Sequence, residues 1–403
     1  MKKYLWTAGV ATAMSIMTLS ACDTGEDAGT AAGAAVAKPE DCTKLAAIAP
    51  PDTAGVTTLV VDNTASGLRG ALPPAIHEAL AQAQERGDRL AIVPVEGAGR
   101  PGRISGTVAL DPYPGKEAEF AKNARAIALD CVGGWIREDA ALPTAAGSDI
   151  LAALTTASRE QPNAILVVSD GLAAAGELDL NRDGFDADPA VLASDLAASK
   201  ALAPTLSGKK VVWAGLGGSA RALPVSLTGS LQGLWTAVLD KAGAKATFDS
   251  RAGGTTAAVA GKQPDPLEIP DATRRTTPCG EQIVVPAALL FAPGSAALQD
   301  GTDSVLQQAA DVLSAHPDWA AVIEGYTANY QTAAERMTLS RNRAQAVVDA
   351  LGKLGVDTGR LAPKGYGATD PAVPEFKAGK HDQAAASKNR RVVINVGPRG
   401  CVR

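Results

Sequence analysis

Asp62, Thr64 and Ser66 stand two apart in a polar run that follows the apolar stretch VTTLVV, and Ser148 and Asp170 lie further along the same part of the chain. Two carboxylates and three hydroxyls are hard oxygen donors, a set that suits a cation keeping some of its water, Mg²⁺ before Zn²⁺. Spacing by two points alternate side chains the same way if the segment stays extended. A second candidate lies at Gly325 to Ala344, GYTANYQTAAERMTLSRNRA, where a strand-like run meets a polar corner and then a helix. Backbone N–H groups and the Arg343 guanidinium converge at such a corner and can hold an anion. The plainer alternatives are that Asp, Ser and Thr cap helices and turns, and that Arg343 pairs with Asp349 or Glu335 along its own helix.

Between these candidates lies Asp179, Asn181 and Asp183 followed by Gly184. Oxygens at positions one, three and five with glycine at six resemble the front of an EF-hand loop, which makes Ca²⁺ the second candidate cation. The twelfth position holds Ala190 where a bidentate acid belongs, so Asp186 or Asp188 would have to substitute. Catalytic sets are missing: the chain has 3 histidines, no nucleophile elbow and no phosphate-cradling glycine loop with a lysine. No organic cofactor is expected. A formal charge of −5 with no basic block excludes a nucleic-acid surface of the usual kind.

The elements that must position these residues fall into two groups. From Val56 to about Ser250 buried-strand patterns (VTTLVVD, RLAIVPV, AILVVSDG, KVVWAGLG) alternate with helical spacing, which argues for an α/β domain over 51–250 with a mostly parallel sheet. Ligand sites in such sheets lie at the carboxyl ends of the strands, where Asp62 and Asp170 fall. Residues 251–278, broken by Pro264, Pro266 and Pro270, read as a linker. Residues 279–403 follow a β-α-β-α-β order of α+β type, with Glu375 to Lys388 as a polar loop before the last strand, NRRVVINV.

At the other end, Lys2 and Lys3 precede an apolar run that closes on Leu19-Ser20-Ala21-Cys22. This has the form of a secretory signal over 1–21, and its last four residues resemble a bacterial lipobox, which implies lipidation of Cys22. A tether over 22–50 would follow. Of 5 cysteines, Cys22 would carry the lipid, leaving Cys42, Cys131, Cys279 and Cys401, an even number suited to an oxidising exterior. Three pairings are open; Cys42–Cys131 with Cys279–Cys401 brackets each domain once. The second bridge would close a loop of about 120 residues, worth up to about 4.7 kcal/mol by chain entropy.

Asp62, Thr64, Ser66, Ser148 and Asp170 resemble the metal-ion-dependent adhesion site of the von Willebrand factor A domain, whose pattern is D-x-S-x-S, a threonine on a second loop and a later Asp-Gly. Thr64 stands for serine and Ser148 for threonine, both retaining an oxygen. The resemblance implies a doubly wound sheet and a protein or ligand partner. Farther on, FAPGSAAL, GYT, LSRNRA, GYGATDP and NRRVVI occur in the order of OmpA-like peptidoglycan-binding domains. That resemblance implies binding of the carboxylate and amine of a diaminopimelate-type stem, with Thr327, Arg343, Arg390 and Arg391 at matching ligand positions. Ala328 replaces the family's aspartate and Arg336 its asparagine. Together the resemblances imply a lipid-anchored, extracytoplasmic envelope protein that binds peptidoglycan and a further protein. The alternative is a protein-interaction component whose OmpA-like domain has lost its wall ligand.

Overall fold

A computed structural model describes residues 38–64, 72–100, 102–137, 139–219, 223–249 and 267–402. Cys22, Ser66 and most of the stretch read as linker lie outside them. Among the described residues no helix is long and apolar enough to cross a membrane.

The first part opens with helix α1 (Pro39–Ala46), followed by β1 (Val56–Val61), α2 (Pro74–Glu85), β2 (Arg89–Pro94), β3 (Gly106–Ala109) and α3 (Glu119–Trp135). Then come α4 (Ile150–Arg159), β4 (Ala164–Val168), α5 (Leu180–Asp183), α6 (Pro189–Ala198), β5 (Lys210–Ala214), α7 (Val225–Lys241) and β6 (Lys245–Asp249). The six strands form one sheet in the order β3-β2-β1-β4-β5-β6, parallel throughout except for β2 with β3. Alternation along each strand feeds two cores. Val60, Val93, Val167 and Trp213 face one cluster with α4, α6 and α7, whereas Leu59, Val61, Ile92 and Leu166 face another with α2 and α3. Helices thus cover both faces, and the strand order reverses between β1 and β4.

Helix α1 falls inside the segment read from sequence as tether. Cys42 is bonded to Cys131 on α3, and Trp135 Nε1 donates to Cys42 O at 3.3 Å, so the helix is held against the sheet-covering layer. The second bridge joins Cys279 to Cys401. Both pairings are those that bracket each part of the chain.

The second part comprises β7 (Thr273–Thr277), β8 (Gly280–Pro286), α8 (Thr302–Ala315), β9 (Trp319–Tyr326), α9 (Ala333–Lys353), β10 (Leu361–Gly367), β11 (Phe376–Lys377), β12 (Lys380–His381), α10 (Gln383–Asn389) and β13 (Arg391–Pro398). Its sheet runs β10-β9-β13-β8-β7, with β10 parallel to β9 and the other pairs antiparallel. Two elements differ from the expectation. Strand β7 lies in the linker stretch, where mostly exposed TRRTT gains order from backbone pairing with β8. The polar loop at 375–388 contains a two-stranded hairpin and α10, whose N-cap Asp382 accepts from Ala385 N at 3.0 Å.

The two sheets share one of these cores. One cluster runs from Trp213, Leu231 and Leu234 through Leu289 and Phe291 to Leu306, Val347 and Ile394. At its margin Ser230 bonds Gln299 at 3.3 Å, and Gly301 sits against Val225.

Candidate functional site

Helix α9 crosses β9 and β10 at contact distance, and two glycines permit it. A Cβ on Gly325 would lie 2.1 Å from Ser340 O, and one on Gly365 would lie 2.5 Å from Arg341 N. This close approach carries Arg343 beneath the corner that follows β9. There, Thr327 N donates to Gly367 O at 2.8 Å, and Ala328 is buried. Asn329 N donates to both carboxylate oxygens of Glu375 at 2.9 Å. A capping box then starts α9: Thr332 N and Oγ1 both donate to Glu335 Oε2, and Glu335 N donates back to Thr332 Oγ1.

Arg343 is not a surface ion pair of its helix. It is 3% exposed, its Nε donates to Ser295 O at 2.8 Å, and its guanidinium lies 5.0 Å from the centre of the Phe291 ring. Its Nη1 has no hydrogen-bond partner, and neither has the buried Thr327 Oγ1. Burial pushes the guanidinium down to about 10, with Asp186 opposing that shift and Arg390 adding to it, so it stays protonated at neutral pH. A buried cation with an unused donor and an unused hydroxyl in the lining of one cavity are an arrangement that favours an incoming anion.

Arg390 and Arg391 are neighbours with different fates. Arg390 grips Asp186 through Nε and Nη2, the latter at 2.8 Å from Oδ1, and Ser387 Oγ donates to the same oxygen at 2.9 Å. Arg391 lies 4.0 Å over the Tyr326 ring and donates to Asp370 O at 3.0 Å. Thr327, Arg343 and Arg390 share the lining of a cavity of about 440 Å³, whereas Arg391 is not part of that lining. Arg336 lines it too, its Nη1 bound to Gln331 O at 2.6 Å. The opposite wall comes from the first part of the chain, through Asp186, Asp188, Val191 and Asp195.

Glu375 is a member of the corner that sequence reasoning passed over. Burial pushes its carboxyl up, but bonds from Asn329 N, His381 and Asn389 outweigh this and hold it below the usual carboxylate value. The only advance sign was an acid placed at the head of a polar segment.

At the strand ends of the first sheet, Thr64 Oγ1 donates to Asp62 Oδ1 at 2.5 Å and Ser148 Oγ donates to Thr64 Oγ1 at 3.1 Å. Asp170 follows the neighbouring β4, its Oδ1 accepting from Leu172 N at 2.9 Å. All four side chains are buried. Ser169, not singled out from sequence, donates its Oγ to Asp62 Oδ2 at 2.7 Å. The described donors are hard oxygens from three segments at the switch point of the sheet, a chemistry that fits Mg²⁺.

The second cation candidate is folded otherwise. Asp179 Oδ1 accepts from Asn181 N at 2.9 Å and caps α5, while Asp183 accepts from Asp179 N and from Arg182. Asn181 Oδ1 accepts from Glu268 N at 3.1 Å. A Ca²⁺ ion there would have to replace bonds that the chain makes to itself. Among the described residues no group of three or more His, Cys, Asp or Glu side chains is arranged to hold a metal.

Residues 290–385 match the OmpA family. A peptidoglycan-associated lipoprotein of Haemophilus influenzae is 39% identical over 90 residues, which is 22% of this chain and 56% of that protein. The protein of the same name from Pasteurella multocida is 38% identical over 90 residues, 22% of this chain and 57% of that protein. The matched stretch therefore spans a little over half the length of these relatives. The crystal structure of the peptidoglycan-associated lipoprotein from Burkholderia pseudomallei aligns at 31% identity over 27% of this chain and 86% of that one, with a TM-score of 0.24. The stretch that matches the OmpA family includes the corner, helix α9 and Arg343.

Proposed function

We propose that this chain is an envelope protein that binds peptidoglycan non-covalently through its OmpA-family domain. The observation that carries the reading is Arg343, buried in the cavity lining with Nη1 unused and the unpartnered Thr327 hydroxyl lining the same cavity. A stem-peptide carboxylate would satisfy both donors at once. The relatives named above are called peptidoglycan-associated, which supports the same ligand. The role is binding rather than catalysis. An exported, lipid-anchored state would follow from acylation of Cys22, holding the chain to a membrane while the domain holds the wall.

In this proposal the first part resembles a von Willebrand factor A domain and recruits a protein or other ligand. Mg²⁺, held by Asp62, Thr64, Ser148 and Asp170, would supply a Lewis-acid position for a partner's oxygen. The alternative function, an interaction component without a wall ligand, draws support from Arg390, whose guanidinium is already matched by Asp186.

Sedimentation of the full mature chain with purified sacculi tests the primary reading. Retention of the native chain and loss in Arg343→Gln, with an unchanged melting midpoint, is the expected result. Equal retention of both would sink the role given to Arg343, and no retention of either would favour the interaction component.

A further inference from the structure

The cavity that holds Arg343 is built by both parts of the chain, and its charges are segregated. The OmpA-family side supplies the cations Arg336, Arg343 and Arg390. It supplies no acid to the lining: Ala328 stands at the corner, Glu335 is used in the helix cap, and Glu375 is taken up by Asn329, His381 and Asn389. Every carboxylate in the lining comes from residues 183–195.

Those carboxylates are not equivalent. Asp183 is held by Arg182, and Asp186 by Arg390 and Ser387. Asp188 uses Oδ1 alone, to cap α6 at Ala190 N and Val191 N. Asp195 is exposed on α6; its backbone carbonyl accepts from Ser199 N, and its carboxylate makes no hydrogen bond or ion pair among the described residues. The cavity therefore has a cationic end with unused, buried donors and an anionic end with unused acceptors.

We propose that this cavity is a composite site for a zwitterion, its carboxylate on Arg343 and Thr327 and its ammonium on Asp188 and Asp195. The first part of the chain thereby completes a pocket that the OmpA-family domain leaves half made. A volume of about 440 Å³ accommodates one amino-acid residue of a peptide together with its neighbours. The proposal rests on the reading of the second part as a stem-peptide binder, and it assigns the ammonium to residues over 130 positions away in sequence. A charged hydrogen bond inside such a cavity discriminates by about tenfold or more.

Calorimetry on the full chain tests this with two probes: a stem tripeptide ending in meso-diaminopimelate, and the same tripeptide with its side-chain amine acetylated. The native chain is expected to prefer the free amine by about tenfold. Asp188→Asn with Asp195→Asn should abolish that preference while leaving the acetylated probe's affinity unchanged; asparagine preserves the α6 cap. Arg343→Gln should weaken both probes. Survival of the preference in the double variant overturns the composite site and leaves the stem-binding reading intact. Binding of neither probe by the native chain overturns the stem-binding reading and, with it, the zwitterion assignment.

Discussion

Asp186 and Arg390, separated by 204 residues, form a bidentate ion pair whose side chains are 5% and 15% exposed. Asp186 comes from the segment between α5 and α6, and Arg390 from the residue before β13. The pair lies beside the shared hydrophobic cluster and in the lining of the Arg343 cavity. It settles the charge of an arginine that the OmpA-family pattern would otherwise offer to a ligand.

Breaking that pair from the acid side should be costly. Asp186→Ala leaves Arg390 buried without a counter-ion and close enough to Arg343 to depress it. Loss of one partner of a buried pair costs about 3–5 kcal/mol, and the partial exposure of Arg390 places the expected loss near the lower figure, about 3 kcal/mol. Urea unfolding measures it. Asp186→Ala combined with Arg390→Met should recover most of the loss, because no unpaired charge then remains. An additive double variant would mean that the two residues do not interact energetically.

A second expectation concerns α9. Ala at Gly325 places a methyl group 2.1 Å from a helix carbonyl, which no side-chain rotation can relieve. The helix must lift from β9, at about 3 kcal/mol, the upper part of the range for overpacking. Arg343 would move with it, so ligand binding should fall together with the melting midpoint. A variant with native stability would show that α9 is less tightly seated than its contacts with Gly325 and Gly365 indicate.

Local pattern accounts for the parts of this molecule that were legible beforehand. VTTLVV and AILVV announce strands buried on both faces, and GYTANYQTAAERMTLSRNRA announces a strand that turns into a helix. Of the three open cysteine pairings, the one that brackets each part of the chain is the one that forms. What stayed hidden is non-local. Nothing near Asp186 points to Arg390, and an acidic run reads as cation ligands until its oxygens are seen on Arg182, Asn181 N and Arg390. Strand β7 escaped notice because an edge strand of exposed polar residues is ordered by its partner's backbone. The shared core is likewise invisible to a reading that stops at each domain's own periodicity.

The strand-end site yields a third expectation. With Mg²⁺ at a hundred times its dissociation constant, a folded-state site adds about 2.7 kcal/mol of stability. Asp62→Asn keeps the size of the side chain but removes one of the two carboxylates of the proposed ligand set. The native chain's melting midpoint should rise with Mg²⁺ and that of the variant should not. A Mg²⁺-dependent rise of equal size in both chains would remove Asp62 from the ligand set.

The last expectation is a pH dependence at Glu375. Burial alone would raise its carboxyl, yet the Asn329 amide, His381 and Asn389 more than compensate, so its folded value lies below the ordinary 4.5. Folding therefore favours the ionised form, and the unfolded chain binds the extra proton first as pH falls. The stabilisation is complete above pH 4.5 and is lost as pH drops through the lower folded value. Glu375→Gln cannot titrate and can accept through one oxygen only, so it lacks this contribution at every pH. The stability gap between the native chain and this variant, taken from urea midpoints, should narrow as the pH falls below 4.5. A gap that held its size as the chain was acidified would mean that the carboxylate's charge does not hold the 329 corner in place, and that shape alone positions the residues around the cavity.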